Sequence, residues 1–410
     1  MLTQLKHIAV ITANYPSNVH PNRGVFVREL VNALVKQEVR CTVIHPWKLH
    51  EWFRERRHDG GPENVIEGVQ VFRPLTLSVS NRRLALLNTF ALTHADFKRA
   101  VWRCLQCLPN LPDALYGHFL YSGGATAVWA ARRLGRPSFV AVGESLLPQE
   151  RMFWTLQNVN LVAARKLFAT AAGFLAVSDL VRRELVAQLA IPGRKLGVFP
   201  NGIDRELFHP RERQAMRQKH GLPQHQFLAA FVGGFSERKG VDRVSNAIRA
   251  VRQTGGIFIG DGPLQPRGDH VVFRGRVPHH QVAELLCAAD VFVLPSRAEG
   301  CANAILEAMA CGIPVVVSAR PFNAVLCDED SGLMVEPDSV AAIRDALVVL
   351  QNDPGLRQRL GNAAVRRAAN FDIQARAKRI LDWMQEKMDA RLAAITAIPS
   401  DAPVATAETI

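Results

Sequence analysis

Two glutamates and a lysine mark where this sequence could do chemistry. Glu299 and Glu307 stand with seven residues between them inside PSRAEGCANAILEAMACGIPVVVS, Pro295 to Ser318. The apolar run Val291 to Leu294 reads as a buried strand, so the loop bearing Glu299 and Gly300 emerges at the carboxyl edge of a sheet, where α/β proteins place ligands. Glu307 falls on the following helix, for which Asn303 is the expected N-cap. The unpaired N–H groups and the dipole of a helix start favour phosphate, so a nucleoside diphosphate would fit there. Upstream, FVGGFSERKGVDRVSNAI runs a strand into a glycine turn, and Lys239 precedes the next helix as a flexible ammonium suited to phosphate, with Arg238 beside it.

The elements that must hold these groups alternate along the chain. HIAVIT, His7 to Thr12, is a strand closed by Asn14 and Pro16; Gly24 then introduces VFVRELVNALVKQ, whose apolar residues recur at helical spacing, and Cys41 to Ile44 is a second strand. That βαβ opening predicts a parallel sheet. Val69 to Phe72, Ala114 to Tyr116, Ser138 to Val142, Phe174 to Val177 and Leu196 to Phe199 extend it, with helices expected at Arg82 to Leu108, Gly123 to Leu134 and Asp179 to Gln188. The turn PNGID ends this lobe near residue 203. A second α/β series runs over residues 204–372, a further helix over 373–394 could pack back on the first lobe, and the polar tail 395–410 reads as disordered.

At 410 residues the chain exceeds what one core usually organises. Hydrophobic residues at 48% and charged residues at 21% describe a globular protein, and no apolar run approaches the roughly 20 residues of a membrane-spanning helix. Seven cysteines without regular spacing suit a reducing compartment; Cys104 and Cys107 form a CxxC, but no second pair follows at zinc spacing, so they read as part of an apolar helix. A net charge of +13 and a pI near 9.9 call for an anionic neighbour. Aromatic residues at 7% and no aromatic-interleaved basic motif speak against nucleic acid, leaving an anionic membrane surface or phosphorylated ligands.

Glutamates at this spacing arise by chance, but here PS, EG, EAMA and CGIPVV stand in register around them. That segment resembles the EX7E signature of retaining GT-B glycosyltransferases, and its flanks look like family 4. The resemblance implies two Rossmann-like, doubly wound parallel-sheet domains facing across a cleft. In that family the first glutamate contacts donor-sugar hydroxyls and the second the ribose hydroxyls, roles that fall on Glu299 and Glu307. SERKG resembles the family's diphosphate-binding lysine segment, GDGP with Gly262 its next donor-lobe turn, and HPNRGVFVREL with Arg23 and Gly24 its cleft loop. The similarity runs from His7 to about Phe371.

The family implies transfer of a sugar from a nucleoside-diphosphate sugar to an acceptor hydroxyl, with retention, no cofactor and no metal. The acceptor is expected in the first lobe as a carbohydrate or a lipid-linked one. The pathway class is bacterial cell-surface polysaccharide or glycolipid synthesis, in the cytoplasm or peripherally at the inner face of its membrane. Three positions depart from the pattern. Gly234 stands where relatives carry an arginine, leaving Arg238 either as its substitute or as a solvated cation. VGES, with Gly143 and Glu144, replaces a usual histidine, and Ala324 stands near a usual acidic residue. Glu144 is then a sugar contact or a loop carboxylate, and His118 a cleft residue or a packed one. A catalytically silent sugar-nucleotide binder and a nucleotide-sugar 2-epimerase are the alternatives.

Overall fold

The structure, a computed structural model, describes residues 4–17, 20–55, 69–77, 83–84, 87–143 and 159–396. The expectations for Glu144 and for the tail from residue 397 lie outside the described residues.

The first lobe is built on a seven-stranded parallel sheet. Its strands are β1 (His7–Ile11), β2 (Arg40–Ile44), β3 (Gln70–Phe72), β4 (Ala114–His118), β5 (Ser138–Val142), β6 (Gly173–Ala176) and β7 (Leu196–Val198). They lie in the order β7-β6-β5-β4-β1-β2-β3. Every residue of β1, β4 and β5 is buried, which is why these strands read as continuous apolar runs rather than alternating ones: helices cover both faces. The longer helices are α1 (Val25–Lys36), α2 (Thr89–Gln106), α3 (Ala125–Leu134), α4 (Leu161–Phe168) and α5 (Asp179–Leu189), and a short one, Leu49–Glu55, carries Glu51. Sequence direction reverses between β1 and β4, so a crevice opens at their carboxyl ends.

The expected helix from Arg82 needs correction. Arg83–Leu84 pairs antiparallel with Leu87–Asn88, and only from Thr89 does the chain become helical. From there Phe97, Ala100, Val101 and Leu105 of α2 are buried, so this face belongs to the core.

The second lobe carries a six-stranded parallel sheet of β8 (Phe227–Val232), β9 (Thr254–Ile259), β10 (Val271–Gly275), β11 (Val291–Leu294), β12 (Val315–Ser318) and β13 (Gly332–Val335), ordered β10-β9-β8-β11-β12-β13. Its helices are α6 (Arg213–Lys219), α7 (Val241–Arg249), α8 (His279–Cys287), α9 (Asn303–Ala310), α10 (Val340–Asn352) and α11 (Pro354–Ala368). Here the switch point falls between β8 and β11, so the glycine turn after β8 and the Pro295 loop after β11 share one crevice. A buried ion pair anchors the sheet's base: Arg217 and Asp290 meet at 2.6 Å, and Asp290 also accepts from the Leu228 amide at 2.8 Å.

The last helix, α12 (Ile373–Thr396), returns to the first lobe, where Ile373, Ala377, Ile380 and Met384 are buried against Tyr116, Phe139 and Leu175. The outgoing and returning segments run side by side, joined by the Ile203 amide to Phe371 oxygen at 2.8 Å and the Ile373 amide to Ile203 oxygen at 3.1 Å.

Candidate active site

The two crevices face each other and enclose a cleft of about 750 Å³. Its first-lobe wall is the loop after β1 and the start of α1. Gly24 is the N-cap of α1 with φ of 65°, a conformation that costs glycine little, and a Cβ there would stand 2.4 Å from the Asn14 carbonyl oxygen. That close turn carries Arg23 to the cleft, where its guanidinium is 2.8 Å from the Glu51 carboxylate.

The second-lobe wall begins with Gly233 and Gly234, after β8, and Gly260 and Asp261, after β9. A Cβ at Gly260 would come 1.9 Å from the Gly233 oxygen, so only glycine lets these turns nest. Just behind them the Lys239 ammonium lies 2.6 Å from Oε1 of Glu299, and Arg238 is 3.3 Å from the same oxygen. Arg238 also donates to the Ala298 carbonyl oxygen, which tethers the guanidinium to the Glu299 loop. Burial alone would raise the Glu299 pKa, but the charges of Lys239 and Arg238 outweigh it and hold the carboxyl below its ordinary value. Glu299 is therefore a buried, ionised carboxylate.

Gly300 touches the opposite lobe: a Cβ there would be 2.0 Å from the Gly143 oxygen. Asn303 is not the N-cap of α9. Ala302 holds that place in extended conformation, and Asn303 is the first helical residue, its side-chain oxygen accepting from Asn201 at 2.6 Å. Asn201 also donates to the Cys301 carbonyl at 3.2 Å, so the interlobe turn splints the start of α9.

Glu307, one turn into α9, lines the cleft with one oxygen 3.2 Å from Nε2 of His279. Nδ1 of His279 is 3.1 Å from Oε1 of Glu29, on α1 of the other lobe. Burial lowers the His279 pKa, yet the hydrogen bond and charge of Glu307 together with Glu29 raise it overall. Glu29 is itself pushed up to about 7, first by burial and against the pull of His279.

Residues 24–207 match the family described as Glycosyltransferase Family 4, and residues 226–353 match Glycosyl transferases group 1. The chain belongs to the group 1, family 4 glycosyltransferases. It is 29% identical over 357 residues to TuaC of Bacillus subtilis, a glycosyltransferase assigned to teichuronic acid biosynthesis, covering 84% of this chain and 88% of that one. In fold it is similar to sucrose-phosphate synthase from Thermosynechococcus elongatus, with a TM-score of 0.73 at 19% identity over 94% of this chain and 100% of the other. It is likewise similar to HepE from Anabaena, solved in complex with UDP, with a TM-score of 0.69 at 17% identity over 93% and 100% of the two chains. These two-domain neighbours and the two parallel sheets make the fold GT-B.

Within this glycosyltransferase the geometry gathers Arg23, Gly24, Lys239, Arg238, Glu299, Gly300, Asn303 and Glu307 at or beside the cleft. Gly262 sits differently. A Cβ on it would meet the Phe235 oxygen at 2.4 Å, so the glycine serves packing of the turn, and the cleft is lined instead by Gly260 and Asp261. His118 is buried between the rings of Phe26 and Phe119, at centroid distances of 5.3 and 4.7 Å. Burial first and then the charge of Arg376 push its pKa down to about 3, so it is a neutral ring in an aromatic cluster. Sequence reasoning missed Glu29, His279 and Asn201. Glu29 follows Val25 by one helical turn but shares its face with Asn32, so periodicity gave no signal for it.

Proposed function

We propose that the transferase moves a glycosyl unit, with retention, from a nucleoside-diphosphate sugar to an acceptor hydroxyl held by the first lobe, and that it needs no metal. The observation carrying this reading is the Lys239–Glu299 pair at 2.6 Å, set at the second lobe's switch point with Arg238 beside it. The bond from the anomeric carbon to the diphosphate oxygen breaks while the acceptor oxygen attaches from the same face, and the acceptor's proton passes to the departing diphosphate. Lys239 and Arg238 stabilise the charge that develops on that leaving group, and Glu299 orients the sugar by accepting from its hydroxyls. Glu307 accepts from the ribose hydroxyls. The UDP bound by HepE supports a nucleoside diphosphate as the leaving group.

TuaC's assignment supports a cell-surface polysaccharide or glycolipid product. A net charge of +13 supports work at the anionic inner face of the cytoplasmic membrane, where lipid-linked acceptors lie. Among the described residues no helix is long and apolar enough to cross a membrane.

A thermal-shift screen of UDP-, GDP- and ADP-sugars tests the donor assignment. A true donor at 100 times its Kd stabilises the fold by about 2.7 kcal/mol. Glu307→Ala should remove that shift. A shift that persists undiminished in the variant, or no shift with any donor, would overturn the reading.

A further inference from the structure

Across the cleft, a buried carboxylate of the first lobe, Glu29, comes within 3.1 Å of the His279 ring, whose other nitrogen lies 3.2 Å from Glu307, the carboxylate proposed to meet the donor. All three side chains are 11 to 13% exposed, and all three line the same cleft. A second contact crosses the cleft beside them: the Asn22 amide donates to the Val277 carbonyl at 2.6 Å, two residues before His279. The lobes thus meet on the nucleotide side of the cleft through side chains that reach a specific atom.

An ionised carboxylate only accepts hydrogen bonds, so the His279 nitrogen facing Glu307 carries a proton and donates it. That donation takes one of the two Glu307 oxygens and fixes the plane of the carboxylate. The ring in turn has few ways to move. It packs edge-on to Phe208 at 5.0 Å, and Glu29 stands at its other nitrogen. The charged groups acting on the ring are Glu307 from α9 and Glu29 and Arg28 from α1, while Asp204 of the interlobe segment acts on Glu29.

We propose that His279 and Glu29 are positioning residues for the donor: Glu29, from the first lobe, holds the His279 ring, and the ring holds Glu307 in the orientation that accepts the ribose hydroxyls. The inference rests on the reading of Glu307 as the ribose acceptor. Its consequence is that ribose recognition is complete only when the lobes have come together, because part of the support lies in the lobe that binds no nucleotide. Glu29, poised near neutrality by its burial, makes that support sensitive to pH.

The experiment measures the affinity of UDP, GDP and ADP, each against its 2′,3′-dideoxy counterpart, by calorimetry on the full chain. Wild type should favour the preferred ribonucleotide by about tenfold or more, as expected for hydrogen bonds to a charged acceptor. His279→Ala should bring that preference to near unity while leaving dideoxynucleotide affinity within about threefold. His279→Gln, which keeps an N–H donor, should retain part of it. Glu29→Gln should weaken the preference and flatten its change between pH 6 and 8, an effect that loss of packing would not produce. If wild type discriminates and all three variants discriminate equally well, the positioning role is refuted and the ribose reading stands. If wild type does not discriminate, the ribose reading fails and the inference falls with it.

Discussion

Replacing Lys239 by methionine removes the nearer of two cations from Glu299 while keeping most of the side-chain volume. At an effective dielectric near 20, unit charges at the observed 2.6 Å attract by about 6 kcal/mol before desolvation is counted. The net loss is smaller, because a carboxyl deprived of its partner can take up a proton. Bringing a carboxyl from its ordinary value of 4.5 to the neutral form at pH 7 costs about 3 kcal/mol, at ~1.4 kcal/mol per unit, which sets the ceiling. Arg238 remains 3.3 Å away and partly exposed, so a loss of about 2 kcal/mol is expected, roughly 4 to 8 °C for a lobe of this size. The pH dependence gives the sharper test. In wild type Glu299 is held below 4.5, so its stabilising contribution is full above that pH and is lost as pH falls through the lowered value. In the variant the carboxyl is protonated at higher pH, so the gap between the two proteins should narrow by up to about 1.4 kcal/mol per unit between pH 7 and 5. Urea denaturation across that range reads the gap, and kcat/KM for transfer should fall by about 10²-fold or more. A gap below about 0.5 kcal/mol, the size of an ordinary surface substitution, or one constant from pH 7 to 5, would show that Lys239 does not hold the Glu299 charge.

Two other substitutions separate the site from its scaffold. Gly300→Ala puts a methyl 2.0 Å from the Gly143 oxygen, so the loop and the opposite lobe must part; transfer should drop by about tenfold or more while thermal stability changes little, measured by initial rates and thermal scans. Arg217→Ala strands the buried Asp290 carboxylate, with the exposed Arg213 as its remaining cation, and should cost about 3 kcal/mol in denaturant unfolding while turnover per folded molecule stays unchanged.

What could be read from the chain and what could not divide along a physical line. Strands buried on both faces, such as Val291–Leu294, announce themselves by apolar runs, and the loop that follows must then lie at a sheet edge, so local pattern places Glu299 and Lys239 at such edges while the family resemblance supplies their roles. Asn303 was misplaced by one residue, because residue preference at an N-cap is a weak prior against the backbone: Ala302, with φ of −81° and ψ of 101°, takes the extended conformation that ends the helix. Gly262 could not be told from a packing glycine for a similar reason. A glycine that approaches a ligand and one that approaches Phe235 look alike in sequence. Glu29 and His279 were invisible as a pair, since nothing in either lobe's own periodicity says which residues of the other lobe it will meet.

The two glutamates of the signature are supported in different ways, and the difference bears on how the enzyme works. Glu299 has both its cations, Lys239 and Arg238, within its own lobe, so its ionisation survives any opening of the cleft. Glu307 draws on His279 within its lobe, but His279 in turn draws on Glu29 across the gap. With the roles proposed above, opening the cleft would leave the sugar-side carboxylate prepared and loosen the ribose-side one. A nucleotide sugar can meet a fixed charge first and be gripped fully as the lobes close, and the spent nucleoside diphosphate is loosened when they part. On that reading, variants at Glu29 should act on nucleotide release more than on the chemistry at Glu299.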